Sequence, residues 1–260
     1  MALKLIKLTK QYQNQLIEML DEWKRDQEEN HTDTSPYAIF KNSYEDFDYY
    51  LDNLECDKHK NGWVPDSVFF LYSEARDKLL GAVNIRHTLN DHLLKCGGHI
   101  GDGIRPSERG KGFGKLIIEL ALKECIKLGI NNVLIVCNKN NIASKRAILA
   151  NGGVLENTVI DEEDGEVVER YWINAPRQLL LKYFDLIHLT PLSAKRIKKN
   201  LGLYEHEVLS EIEDAICHNY RFTTITPKGK NYYLRYRDIE YTINASSYTV
   251  ITAKVIKPVM

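Results

Sequence analysis

No apolar run in the 260 residues approaches the ~20 that a membrane-spanning helix needs, which excludes an embedded protein on this reading. The first ten residues, MALKLIKLTK, alternate and lack a long apolar core, so they read as a strand and not as a signal peptide. Cysteine is sparse. Cys56, Cys96, Cys125, Cys137 and Cys217 are odd in number and have no close-paired spacing. They read as reduced, packed thiols in a cytoplasmic protein rather than as a disulfide frame. The eight histidines are scattered without zinc-type spacing, so no metal site is expected. A charge excess of either sign is also missing: 35 Lys+Arg stand against 36 Asp+Glu, a net of −1. That removes any global pull toward nucleic acid or an anionic membrane. Repeats and low-complexity segments are absent.

What is present is a globular pattern. Hydrophobic residues make up 43%, enough for a sizeable core in one large domain or two smaller ones. Leu3, Leu5 and Leu8 mark a first strand. Leu16, Met19, Leu20 and Trp23 recur at helical spacing within Tyr12–Glu28. A loop follows over His31–Asn42, and a helix is expected over Ser43–Leu54, opened by Ser43 and Asp46 as a capping box. Ser67–Ser73 and Leu79–Thr88 read as a β-hairpin. A strand is expected from about Leu93 to Arg105, interrupted by Gly97, Gly98, Gly101 and Gly103. That density of glycine indicates a bulge or a close backbone approach.

The most informative stretch comes next. Arg109-Gly110-Lys111-Gly112-Phe113-Gly114 lies between that strand and a helix over Gly112–Leu128. Backbone N–H groups at a glycine-rich helix start converge on one anion, and the helix dipole favours negative charge there. The ligand implied is a phosphate or pyrophosphate. Val133–Cys137 reads as a buried strand of parallel type. Asn141–Asn151 reads as a short helix, and Val154–Ile160 with Val167–Asn174 as a last hairpin.

Strand, helix, helix, three strands, phosphate loop with helix, strand, helix and two strands form an order in which residues 1–175 resemble a GNAT-type N-acetyltransferase. The stretches GGHIGDGIRPSERGKGFGKL and VLIVCNKNNIASKRAILANGGVLEN carry the likeness to a group of predicted bacterial acetyltransferases. The resemblance implies an α/β fold with a mixed, mostly antiparallel central sheet flanked by helices. It also implies acetyl-CoA as cosubstrate, held between the fourth and fifth strands, and direct acetyl transfer to an amine without an acyl-enzyme. By the same likeness the pantetheine arm pairs with Ile104 and Arg105. The pyrophosphate sits on the amides of Arg109, Gly110, Lys111, Gly112, Phe113 and Gly114 and reaches Lys115. Asn141 and Ser144 then hold the pantetheine region, with an N-cap as the alternative role for Asn141.

Two departures from the family pattern stand out. Ile148 occupies the position, seven residues after Asn141, where many members carry a tyrosine that protonates the leaving thiolate. Asp102 stands where an aromatic is common. His99 and Asp102 are the candidates for general base, since both lie on the strand flanking the acetyl group. A structural role is the alternative for each. The first two helices and their loop wall the acceptor pocket in this fold. Asp33, Tyr37, Tyr44 and Phe47 are its candidates here, a set of rings and carboxylates suited to a cationic amine. A small-molecule or peptide amine both fit as acceptor, and a homodimer stays open.

Residues 176–188 read as a connector with an apolar Leu179–Leu189 stretch, and 189–260 as a small accessory α+β domain. Helices are expected over Ser193–Asn200 and His206–His218, and three or more strands over Arg221–Ile256. Residues 185–260 carry 11 Lys+Arg against 8 Asp+Glu. The run KGKNYYLRYRDIEYTINASSYTVITAKVI resembles a small bacterial domain of no assigned activity. Tyr232, Tyr233, Tyr236 and Tyr248 among basic residues suggest a stacking surface for nucleic acid, or an ordinary twisted sheet. His206 and His218 would be the catalysts of a nuclease-type reading. The rivals to the enzyme are thus a CoA-binding sensor without catalysis and a binding protein centred on the C-terminal domain.

Overall fold

The helical spacing of Leu16, Met19, Leu20 and Trp23 becomes one buried face of helix α1, Gln13–Asn30. The computed structural model describes residues 3–32, 35–59 and 62–256. The chain divides into two compact units, Met1–Ile173 and Asn174–Met260. In the first, strands β1 (Leu3–Ile6), β2 (Asp66–Ser73), β3 (Lys78–Arg86), β4 (Ile100–Ile104), β5 (Asn132–Asn138), β6 (Val154–Ile160) and β7 (Val167–Asn174) form one sheet. Their order is β1-β2-β3-β4-β5-β7-β6. Pairs β1–β2, β2–β3, β3–β4 and β6–β7 are antiparallel, and β4–β5 is parallel. This is the mixed, mostly antiparallel sheet expected of the sequence.

Helices α2 (Phe47–Asp52), α3 (Phe113–Lys127) and α4 (Ile142–Leu149) complete the unit. Every residue of β3 from Leu79 to Ile85 is buried, so this strand is covered on both faces. One cover is a cluster of Leu16, Met19, Leu20 and Trp23 with Ile39, Phe47 and Tyr50, packed on Val68, Phe70 and Ala82. α3 packs against β3 and β4 with Ile117, Ile118, Ala121 and Leu122 buried. The glycines of β4 permit the close approach: a Cβ on Gly103 would stand 2.4 Å from the Ser35 carbonyl oxygen and 2.6 Å from Trp23 Cζ2.

Three local expectations need correction. The strand expected from Leu93 begins only at Ile100, because Leu93–Gly97 forms one wide helical turn. Arg86 donates to the Gly97 and Gly98 carbonyls that end this turn. The helix expected over Ser43–Leu54 is only Phe47–Asp52. Its cap is Asp46, whose carboxylate accepts from the Tyr49 N–H, and not Ser43. Part of the expected connector is helix α5, Ala175–Lys182, capped by Asn174.

The second unit holds a five-stranded sheet, β8 (His188–Leu189), β12 (Thr249–Val255), β11 (Ile239–Asn244), β10 (Asn231–Tyr236) and β9 (Thr224–Lys228) in spatial order. Pro227 sits in β9, an edge strand, where its missing N–H costs no ladder bond. Helix α6 (Pro191–Leu201) packs on β12, and α7 (Glu205–Glu213) buries Val208 and Ile212. Tyr232 and Tyr236 are interior, so two of the four tyrosines considered for stacking offer no surface.

His99, just ahead of β4, pins this strand to β5. Its N–H donates to the Leu134 carbonyl, and its ring Nδ1 accepts from the Leu134 N–H at 3.0 Å. Burial, with the Arg86 charge adding to it, lowers its pKa from 6.5 to about 4. The folded ring thus stays neutral where the unfolded ring is protonated. Stability is therefore lost as pH falls from 6.5 toward 4, by about 3 kcal/mol from this residue. In urea titrations across that window, His99→Asn should lose less stability than wild type by about that amount; parallel curves would refute it. Gly103→Ala should destabilise the protein by about 1–3 kcal/mol in the same assay at pH 7, because a methyl group has no room there.

Candidate functional site

Parallel strands pair evenly along their length unless something parts them. Here β4 and β5 are in register only at Ile100 and Ile135, with His99 and Leu134 closing the junction behind them. Beyond this point the strands diverge and leave a wedge. In the antiparallel ladder to β3, alternate residues of β4 face β3. The Arg105 N–H donates to the Leu80 carbonyl and the His99 carbonyl accepts from the Arg86 N–H. The N–H groups of Asp102 and Ile104 are therefore turned toward the wedge, while the Asp102 carbonyl accepts from the Ser35 hydroxyl at 3.1 Å. This corrects the expectation for Arg105: its N–H is taken by β3, and its buried guanidinium is held by Glu18 and Glu22 of α1. The Ile104 carbonyl accepts from Arg109 Nε at 3.2 Å.

The glycine-rich loop follows β4. Gly110 and Gly112 have φ of +74° and +82°, and a Cβ on either would meet nothing within 4 Å. Gly112 is the N-cap of α3 and offers no side chain to its first turn. Among the described residues, no acceptor meets the N–H groups of Gly110, Lys111, Gly112, Phe113 or Gly114. Five successive donors at a helix head thus face open space.

The side chains around them turn away. Arg109 Nη1 reaches Asp26 at 2.6 Å. Lys111 Nζ donates to the Ser107 carbonyl at 2.8 Å and to Glu108 at 3.0 Å. The Ser107 N–H donates to Glu22 at 2.7 Å. The Phe113 ring lies under the Arg76 guanidinium, and the Lys115 carbonyl accepts from Asn151. Lys115 itself is exposed.

At the wedge side of β5, Cys137 is buried, which pushes its thiol up to about 11. It interacts with the Ser144 hydroxyl and lies within electrostatic reach of Asp102, Lys145 and Glu169. Asn141 caps α4 by accepting from the Ser144 N–H at 3.0 Å. Its side chain thus has the capping role that was the alternative to holding a cofactor. Ile148 is wholly buried and closes the position of the family tyrosine.

Sequence reasoning missed a neighbouring group on β7. The Tyr171 hydroxyl donates to Glu169, and Lys145 pairs with the same carboxylate at 2.8 Å. Lys145 and Tyr171 hold Glu169 below the usual carboxylate range, while burial pushes Tyr171 up to about 12. The alternation Glu169–Tyr171 in an otherwise apolar buried strand was the available signal.

The candidate acceptor residues have differing surroundings. Asp33 lies outside the described residues. Phe47 is core, 6% exposed and stacked on Tyr50. Tyr44 donates to Asp21, and its ring already carries Lys24 Nζ at 4.2 Å. Tyr37 is exposed and stacks on Trp63 at 6.0 Å. His99 is not placed as a base, because Nδ1 accepts from the Leu134 N–H and the neutral ring then carries its proton on Nε2. No group of His, Cys, Asp or Glu among the described residues is placed to hold a metal ion. Among the described residues, no helix is long and apolar enough to cross a membrane.

Comparison with known proteins gives this geometry a family. No curated protein is similar enough to the sequence to match it. SpeG, the spermidine/spermine N-acetyltransferase of Vibrio cholerae solved with manganese ions, is 20% identical, with 68% of this chain and 95% of that chain covered and a TM-score of 0.45. RimL, a ribosomal alpha-N-protein acetyltransferase, is 16% identical, covering 65% of this chain and 88% of its own at a TM-score of 0.47. MccE, a self immunity acetyltransferase in complex with acetyl-CoA and AMP, is 19% identical, with 65% and 91% covered and a TM-score of 0.47. Residues 181–254 match a family of proteins of unknown function, DUF3781. The acetyltransferase (GNAT) domain family matches residues 8–154, a span that takes in the parted strands, the loop and α4. The chain belongs to this GNAT acetyltransferase family, whose activity is acetyl-CoA-dependent transfer to amines.

Proposed function

We propose that the first unit transfers an acetyl group from acetyl-CoA to a primary amine, with the pyrophosphate on the Gly110–Gly114 amides and the pantetheine arm along β4. The observation that carries this reading is the row of five N–H donors without acceptors, set beside a strand that leaves its partner. The donor set suits a pyrophosphate, since the N–H groups sit at a helix N-terminus and no Cβ crowds Gly110 or Gly112. Bound there, the cofactor supplies the acetyl group and a thiolate leaving group.

The chain's own residues then have separate tasks. Asp102 and Ile104 would present their N–H groups to the arm, their carbonyls being held by Ser35 and Arg109. The attacking amine must be neutral, and removing a proton from a lysine-like amine at pH 7 costs about 4.6 kcal/mol. Asp102 is the remaining candidate to accept that proton, now that Nδ1 of His99 is occupied. The Lys145–Glu169–Tyr171 group, whose charged members act electrostatically on Cys137 of β5, would be the protein source of a proton for the departing thiolate. The burial of Ile148 favours a second reading, in which the cofactor is bound without turnover.

Gly112→Val forces a branched side chain into a positive-φ position at the centre of the donor row. It should weaken acetyl-CoA binding at least about tenfold by calorimetry. Retained affinity would show that the loop is not the cofactor site. Asp102→Asn should leave that affinity unchanged while lowering kcat for thiol release by about 10²-fold or more, with loss of the acidic limb of the pH–rate profile. An unchanged kcat would remove Asp102 from the chemistry. Cofactor binding without thiol release on amino acids, polyamines, aminoglycosides or peptides would select the second reading.

A further inference from the structure

Arg86 is the last residue of β3 and is half-buried, its guanidinium lying beside β4. It lies over Gly101: a Cβ there would stand 3.4 Å from Nη2 and 3.7 Å from Nη1. Gly101 is the first residue of β4 beyond the pairing with β5, so the guanidinium stands at the apex of the wedge.

A guanidinium partly withdrawn from water ordinarily meets a carboxylate, because removing charge from water costs free energy unless it is paired. Arg86 has no such partner among the described residues. Nη1 donates to the Gly97 and Gly98 carbonyls at 2.9 and 3.1 Å. Its cross-strand neighbour Asp66 is also buried, but accepts from the Cys56 N–H at 2.7 Å and from Asn84 Nδ2 at 2.9 Å. No Asp66 oxygen comes within ion-pair distance of Arg86. Among the described residues, Nε and Nη2 have no acceptor, and neither is sealed from solvent. These two nitrogens form the edge that binds a carboxylate in a forked, two-bond geometry. The neutral His99 ring adds no competing charge.

We propose that Arg86 binds the carboxylate of the acceptor, so that the substrate is an amino acid rather than a bare polyamine. This rests on the reading of the wedge as the acetyl-CoA site. Gly101 lies where β4 leaves β5, so a carboxylate held on Arg86 places the rest of a small acceptor at the parting of the two strands. The expected cationic pocket does not compete with this assignment, since Phe47 is core and Tyr44 already faces Lys24.

The test uses the full chain with a panel of amino acids, each paired with its decarboxylated amine. Calorimetry with acetyl-CoA comes first. Failure to bind overturns the site itself, and with it this proposal, before any acceptor is added. Given binding, the carboxylate member of at least one pair should be preferred about tenfold or more in kcat/KM. Arg86→Met should bring that preference to within about twofold, chiefly through KM, with acetyl-CoA affinity unchanged; Arg86→Lys should retain part of it. If neither member is turned over, thermal shifts of the acetyl-CoA-saturated protein give the same comparison through binding. Equal response to both members of every pair, or a preference that survives in Arg86→Met, would reduce Arg86 to a cap on the turn ending at Gly98. A variant that loses acetyl-CoA affinity is judged on Arg86→Lys alone, where an unaltered preference and KM overturn the proposal.

Discussion

The structure of the first unit depends on one interruption, the single point at which β4 and β5 remain paired. Two parallel strands inside a sheet gain a hydrogen bond at regular intervals by staying together. Here the ladder ends after Ile100 and Ile135. Everything placed near the site follows from that end. His99 secures the closed side by meeting both backbone groups of Leu134. On the open side, β4 turns the N–H groups of Asp102 and Ile104 away from β3, and the loop that follows raises its amides next along the chain. A continuous sheet would have left a helix start with free donors, as many folds do, but no channel leading to it.

The side chains divide into those that hold this opening apart and those available to chemistry. Arg105, Ser107 and Arg109 are tied to Glu18, Glu22 and Asp26 along α1. Glu108 is buried among Arg76, Lys78 and Lys111. The polar residues most conspicuous in the sequence around the loop are therefore structural. Asp102, Tyr171 with Glu169 and Lys145, and Arg86 are far less conspicuous there, and they are the residues to which the proposals above assign roles.

Much of this was legible beforehand. The hairpin Val154–Ile160 with Val167–Asn174 follows from the turn residues Asp164-Gly165, and α3 from its apolar stripe and closing Gly129. The glycine-rich loop was legible as a turn, but not that Gly110 and Gly112, rather than Gly114, take the positive φ. Other features depend on tertiary contacts that no local pattern encodes. The turn at Leu93–Gly97 replaces an apparent strand because Arg86, seven residues before it, takes its terminal carbonyls. Phe47 and Tyr44 sit four residues or fewer apart among aromatics, and composition could not say that one is core and the other partnered by Asp21 and Lys24. Alternation put Asp102 and His99 on opposite faces of the strand, but only the close approach of Leu134 reveals which nitrogen of the ring is occupied.

The bracing of the loop from behind has a consequence for how sequences of this kind can drift. Because acids on α1 and Glu108 engage the neighbouring cations, the proposed anion site consists of peptide groups, which every residue but proline possesses. Positions 111, 113 and 115 can therefore change chemical character while their N–H groups stay where they are. The constraint falls instead on backbone shape, at Gly110 and Gly112, and on the remote carboxylates that fix it. A recognition surface of this type is inherited as a curvature of the chain, and its most revealing substitutions lie on a helix that never touches the ligand.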